Sequence, residues 1–245
     1  NTAIGASAIR YLNAGNENTA IGNTAGSYLL GTSTTIVGSQ AGRFASGSSN
    51  TFVGMSAGYG GTTSAPFSSG ESNVAVGKSA LAGFTTGYSN TVMGTNAGDA
   101  ITSGYENALF GQGAGGALTD GHDNVMIGQV AGGTSTSVGH AVIIGEFAGY
   151  ANLTSAADGV VLIGGGAGRN LTTGAGNIAI GYASMLQHTT GARNIAIGWE
   201  AMHDTNAGST SQGSSDNVFI GYSAGGGVWA NAASNFNVAI GTNAM

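Results

Sequence analysis

Few residues in this sequence are equipped for chemistry. The densest group is Asp120-Gly-His122-Asp123, two carboxylates around one imidazole, with Glu106 at the equivalent place one repeat before Asp123. Glycoside hydrolysis needs a carboxylate pair about 5 to 10 Å apart across a cleft. Asp120 with Asp123, or Glu106 with Asp123, would be the only pairs to offer one. The plainer reading of the same residues is a solvated turn. A metal at Asp120, His122 and Asp123 is equally weak, because structural sites are normally built from Cys or paired His. His140, His188 and His203 have no companions at ligand spacing. Gly164-Gly-Gly-Ala-Gly168 has only a superficial likeness to a dinucleotide loop, and no nucleophile elbow, phosphate-binding loop or calcium-binding repeat occurs. The expectation is a non-enzymatic protein with no metal and no cofactor.

A second group is aromatic. Tyr182, Trp199 and Tyr222 occupy one recurring position, just after a glycine, in three successive copies of a repeat. Stacked one copy apart, they would form a strip about 10 Å long, suited to lying against sugar rings. His203 and Trp229, with Asp204 and Asn231, lie in the neighbouring links and would supply polar contacts. These residues are the candidate glycan-binding set. The alternative is that the rings only stack on one another or lie under a partner chain.

What must position these residues is the repeat itself. Its unit is Asn194-Ile-Ala-Ile-Gly-Trp-Glu-Ala201, and it recurs fourteen times, anchored on Gly5, Gly22, Gly38, Gly54, Gly77, Gly94, Gly111, Gly128, Gly145, Gly164, Gly181, Gly198, Gly221 and Gly241. Seven of the thirteen spacings equal the step from Gly77 to Gly94, and the others range from the step between Gly22 and Gly38 up to that between Gly54 and Gly77. With the anchor numbered 0, position −1 is apolar in all fourteen copies, position +3 is Ala in thirteen, and position −4 is Asn in eleven. Periodicity of this kind decides the architecture.

Composition narrows the class. The chain has 245 residues, 47 of them Gly, and 7% charged residues, against roughly 25% in ordinary soluble domains. With 41% apolar residues it is not simply disordered. A net charge of −6 with five scattered Lys and Arg argues against nucleic acid as a partner. There is no Cys, so no disulfide framework. No apolar run approaches the roughly 20 residues of a membrane span, which argues against membrane insertion. Composition does not shift along the chain, so residues 1–245 read as one repetitive segment of a longer fibrous protein.

Each copy contains two short extended pieces and two Gly-marked corners, and no helical periodicity lasts beyond a turn. This predicts an all-β fold, a parallel β-solenoid of about fourteen rungs, with equivalent residues about 4.8 Å apart and a length of roughly 65 Å. Asn at −4 is placed to form a hydrogen-bonded ladder. Positions −3 and −1 share one face of the strand and −2 points the other way. Both faces are apolar, and a strand apolar on both faces is covered on both. The second cover is expected to be a sister chain.

Repeats such as Asn-Thr-Ala-Ile-Gly-x-x-Ala-Gly, with Thr-Thr-Gly-x-x-Asn leading into the next copy, resemble those of bacteriophage tail fibres. They are also similar to the head repeats of trimeric autotransporter adhesins. The resemblance covers the whole chain. It implies three chains packed side by side as a homotrimer, an extracellular location on a virion tail, and attachment to a host surface glycan or protein receptor. The adhesin alternative implies a bacterial cell surface and a solenoid flank that binds host matrix or glycan. A polysaccharide-degrading tailspike is a third class. The common period here is longer than the adhesin head repeat, and the resemblance fixes no binding residue.

Overall fold

The computed structural model describes residues 1–11, 15–62, 64, 66–203, 213–227 and 233–245. Its contacts divide it into two compact units, Asn1–Asp123 and Asn124–Met245.

The first unit holds β1 (Thr2–Ile4), β2 (Thr19–Ile21), β3 (Thr35–Val37), β4 (Thr51–Val53), β5 (Val74–Val76), β6 (Thr91–Met93) and β7 (Ala108–Phe110). The second holds β8 (Val125–Ile127), β9 (Val142–Ile144), β10 (Val161–Ile163), β11 (Ile178–Ile180), β12 (Ile195–Ile197), β13 (Val218–Ile220) and β14 (Val238–Ile240), with one 3-10 turn at Ser155–Ala157. Within each unit every strand pairs in parallel with the next, in the register the repeat dictates: Thr2 on Thr19, Ile178 on Ile195. Longer links leave that register intact. Thr51 still pairs with Val74 and Ile195 with Val218, although the chain between each pair is longer than the common period. The parallel β-solenoid follows.

The second extended piece is not a strand. Around residues 85–87 the N–H groups of Thr85, Thr86 and Gly87 all point at the carbonyl of Thr102, at 2.9, 3.1 and 3.0 Å. Those of Thr102, Ser103 and Gly104 converge likewise on Thr119. Three donors on one acceptor make a stacked turn, whereas a ladder alternates. Each rung therefore has one short strand, and each unit has one sheet.

The anchor glycine is demanded twice over. Every described anchor has φ between 131° and 141°, a region that side-chain-bearing residues avoid. A Cβ on Gly77 would also come within 2.6 Å of the Gly94 carbonyl oxygen in the next rung.

Position −2 faces inward and positions −3 and −1 face outward. Phe52, Val92, Leu109, Ile143, Leu162 and Phe219, all at −2, are fully buried, as are the +3 alanines such as Ala57 and Ala97. Ser184, the one departure at +3, is buried and donates to the Ala196 carbonyl at 2.9 Å. The asparagines at −4 form the expected ladder. Asn90 Nδ2 donates to Asn73 Oδ1 at 3.1 Å and to the Gly104 carbonyl at 2.9 Å, while Asn90 Oδ1 accepts from the Asn107 N–H and side chain. Asn177, Asn194 and Asn217 repeat the arrangement in the second unit. Each buried amide is thereby satisfied, as burial requires.

Core volume is shared between positions −2 and +4. All eight rungs with a large residue at −2 have Gly at +4, as in Ile36/Gly42, Phe52/Gly58, Met126/Gly132, Leu162/Gly168 and Phe219/Gly225. Five of the six rungs with Ala at −2 carry a large residue at +4 instead: Ala3/Ile9, Ala75/Leu81, Ala179/Met185, Ala196/Met202 and Ala239/Met245. The reason is direct contact. A Cβ on Gly168 would lie 2.7 Å from Leu162 Cδ2, and one on Gly132 2.6 Å from the Met126 sulfur.

Candidate functional site

The outward face of each strand carries two columns of side chains, at −3 and −1. In the second unit all fourteen are aliphatic and β-branched, Val or Ile throughout, from Val125 and Ile127 to Val238 and Ile240. They are half-buried to exposed, with nothing described in the chain lying over them. In the first unit the −3 column is mostly Thr, at Thr2, Thr19, Thr35, Thr51 and Thr91. Seven strands about 4.8 Å apart and two columns about 7 Å apart make an apolar patch of roughly 200 to 250 Å² in the second unit, approaching the largest patches of typical monomers.

Beyond the anchor the chain turns, and position +1 projects outward. Tyr182, Trp199 and Tyr222 sit there, 52%, 51% and 53% exposed. The Tyr182 and Trp199 rings stack at 4.4 Å with 28° between planes. Tyr222 stands one rung further on, joined through the Ser223 N–H to the Trp199 carbonyl at 2.9 Å. His203 is half-buried and lines a groove with Tyr182. Trp229, Asp204 and Asn231 lie outside the described residues. Beside the strip, Arg193 grips Asp216 with Nε and Nη2 at 2.7 and 2.9 Å, and those hydrogen bonds hold the Asp216 carboxyl below its usual range.

The groove has a volume of about 280 Å³. Besides Tyr182 and His203 it is bounded by Glu146, Gly165, Arg169 and Glu200. The Arg169 guanidinium lies over the Phe147 ring at 5.2 Å. No ion pair joins Arg169, Glu146 or Glu200 to another described residue. The sequence signal for this place is a single bare position, Gly165, where every other rung carries a side chain after its anchor.

The acidic group is arranged differently. His122 Nδ1 lies 2.9 Å from Asp123 Oδ2, and Asp120 Oδ1 accepts from Thr119 Oγ1 at 3.2 Å. The His122 ring stacks on Tyr105 at 4.8 Å, and Tyr105 on Tyr88 at 5.0 Å, both with nearly parallel planes. This second aromatic column keeps one rung per ring, so its spacing is legible in the sequence. The imidazole of His122 is part of a ring stack and its neighbouring carboxylates have local partners, which makes the group a stacked surface column.

No helix among the described residues is long and apolar enough to cross a membrane. No protein-family profile, curated protein or solved structure matches the chain.

Proposed function

We propose that this chain is a structural segment of a bacteriophage tail fibre, non-enzymatic and extracellular, that works as a side-by-side homotrimer to hold or present a host-attachment surface. The observation that carries the reading is the half-buried to exposed Val/Ile face of the second unit. Apolar area of that size is removed from water at about 25 cal/mol per Å², and a β-branched strip bordered by polar residues such as Glu146, Arg193 and Asp216 is a contact for another copy of itself. The low charge, the buried asparagine ladder and the hydrogen-bonded rungs suit a mechanical part more than a catalyst. The resemblance of the repeats to tail-fibre sequences supplies the biological setting.

Sedimentation equilibrium tests the assembly. A particle three times the 23.7 kDa chain supports the reading. A chain that stays at its monomer mass at micromolar concentration overturns it. The exposed strip at Tyr182, Trp199 and Tyr222 favours a second reading, a bacterial surface adhesin whose flank binds host matrix or glycan. Sequence flanking the segment separates the two: a membrane-anchor barrel marks the adhesin, a virion-attachment or chaperone domain the fibre. A reducing-sugar assay on capsular polysaccharide tests the tailspike class, and release of sugar ends would displace both.

A further inference from the structure

Thirteen of the fourteen rungs carry a side chain at position +1, and Gly165 alone does not. The backbone gives no reason for the exception. Gly165 lies outside the left-handed region, and a Cβ there would meet only the Tyr182 ring, at 3.4 Å. A β-carbon is accommodated there at ordinary contact distance. The next residue, Gly166, is bare as well, so one rung opens between Glu146 and Phe147 on one side and Tyr182 and Ala183 on the other. Flanking rungs two spacings apart leave a gap of about 10 Å.

We propose that this notch is a binding site for a neutral saccharide, seating one hexopyranose ring against Tyr182. A sugar ring has an apolar C–H face and a rim of hydroxyls that both donate and accept. Trp199 covers one face of the Tyr182 ring at 4.4 Å, which leaves its other face toward the notch. Glu146 and Glu200 are acceptors for hydroxyl donors, with no ion-pair partner among the described residues to compete. Arg169 is the donor, and its guanidinium lies over the Phe147 ring at 5.2 Å beside the notch. Two carboxylates against one guanidinium disfavour phosphate, sulfate or uronate ligands by simple charge. At about 280 Å³ the notch is at the small end of ligand pockets, which fits a single ring and not an oligosaccharide. The biological ligand rests on the attachment reading above; the site itself does not.

Saturation-transfer NMR on the intact chain tests it, with methyl β-glucopyranoside, methyl β-galactopyranoside, methyl α-mannopyranoside and N-acetylglucosamine as probes. At least one probe is expected to bind, with affinity falling about tenfold or more in Gly165→Leu, which fills the notch, and in Arg169→Ala. Tyr88→Ala, on the other aromatic column, leaves it unchanged. Arg169 is exposed, so its variant keeps the test alive if Gly165→Leu fails to fold. Binding by none of the four probes, or binding that survives both substitutions, overturns the site. Absence of binding by all four probes in a protein that still adheres to host cells defeats the notch and spares the attachment reading. Hexoside binding with no adhesion to any cell or glycan surface does the reverse.

Discussion

The Phe52 ring occupies the space where a side chain on Gly58 would begin. The two residues share one inward pocket of their rung, six positions apart, and the pocket holds one large group. Phe52→Ala alone should cost about 3 to 5 kcal/mol through lost burial and the cavity left behind. Gly58→Leu alone should cost at least about 1 to 3 kcal/mol through overpacking. The double variant reproduces the Ala75/Leu81 arrangement and should recover a large part of the summed loss. Urea unfolding of the four proteins gives the coupling, and additive losses would refute the shared pocket.

Glycines at adjacent positions of the repeat should respond in opposite ways. Gly77→Ala forces a Cβ against the Gly94 carbonyl in a backbone region that alanine avoids, so a loss of several kcal/mol is expected. Gly165→Ala meets only an ordinary contact, and its unfolding free energy should be unchanged within about 0.5 kcal/mol.

The asparagine ladder should be sensitive to a single deletion. Asn90→Ala removes one acceptor and two donations from a site with no water-exposed alternative, leaving groups on Asn73, Gly104 and Asn107 short of partners. A loss of roughly 2 to 4 kcal/mol is expected. Asn90→Asp should be worse at neutral pH and partly rescued in acid, where the buried carboxyl is neutral. Thermal melts at two pH values read both effects.

His188 makes stability depend on pH. It fills the core position held by Leu29, Phe84, Ile101, Leu118 and Leu171 in other rungs. Burial lowers its pKa to about 4 from 6.5, against a weaker opposing hydrogen bond to the Gly191 carbonyl. The folded chain thus keeps the imidazole neutral while the unfolded chain protonates below about pH 6.5. Stability is full above that value, falls as the pH drops toward about 4, and levels off beneath it, for a total of about 3 kcal/mol. Nδ1 finds no hydrogen-bond partner among the described residues. His188→Leu should therefore abolish this part of the acid sensitivity and raise stability at pH 5. Melts of both proteins from pH 4 to 8 decide it.

Association should be broken by one charge on the aliphatic face. Ile180 lies centrally among the paired strands of the second unit, outward and half-exposed. Ile180→Lys leaves the rung's interior untouched and should reduce the sedimenting mass to that of one chain. A variant that sediments like the parent would place the contact elsewhere.

Much of this fold is written at fixed offsets, and those are legible. The Gly anchor, Ala at +3 and Asn at −4 repeat because each meets its own counterpart one rung away. Alternation along Ile195-Ala196-Ile197 sets two faces, though only the structure shows that −2 is the inward one. The exchange between −2 and +4 stays hidden because each position is variable on its own and only their sum is constrained. The Thr85-Thr86-Gly87 piece looks like a strand because it is extended and stacked. Its three N–H groups share one acceptor, which no residue pattern announces. At the candidate site the aromatic residues stand out by type, whereas Gly165 matters through what it lacks.

The tolerance of register to link length has its own consequence. Thr51 meets Val74, and Ile195 meets Val218, across detours longer than the common period. A detour of that kind changes nothing about how the strands on either side pair. The corner that carries such a link is thus an open socket, where added peptide leaves the pairing of the flanking strands as it was. Diversification of what such a protein displays can then proceed rung by rung, independently of what keeps it standing.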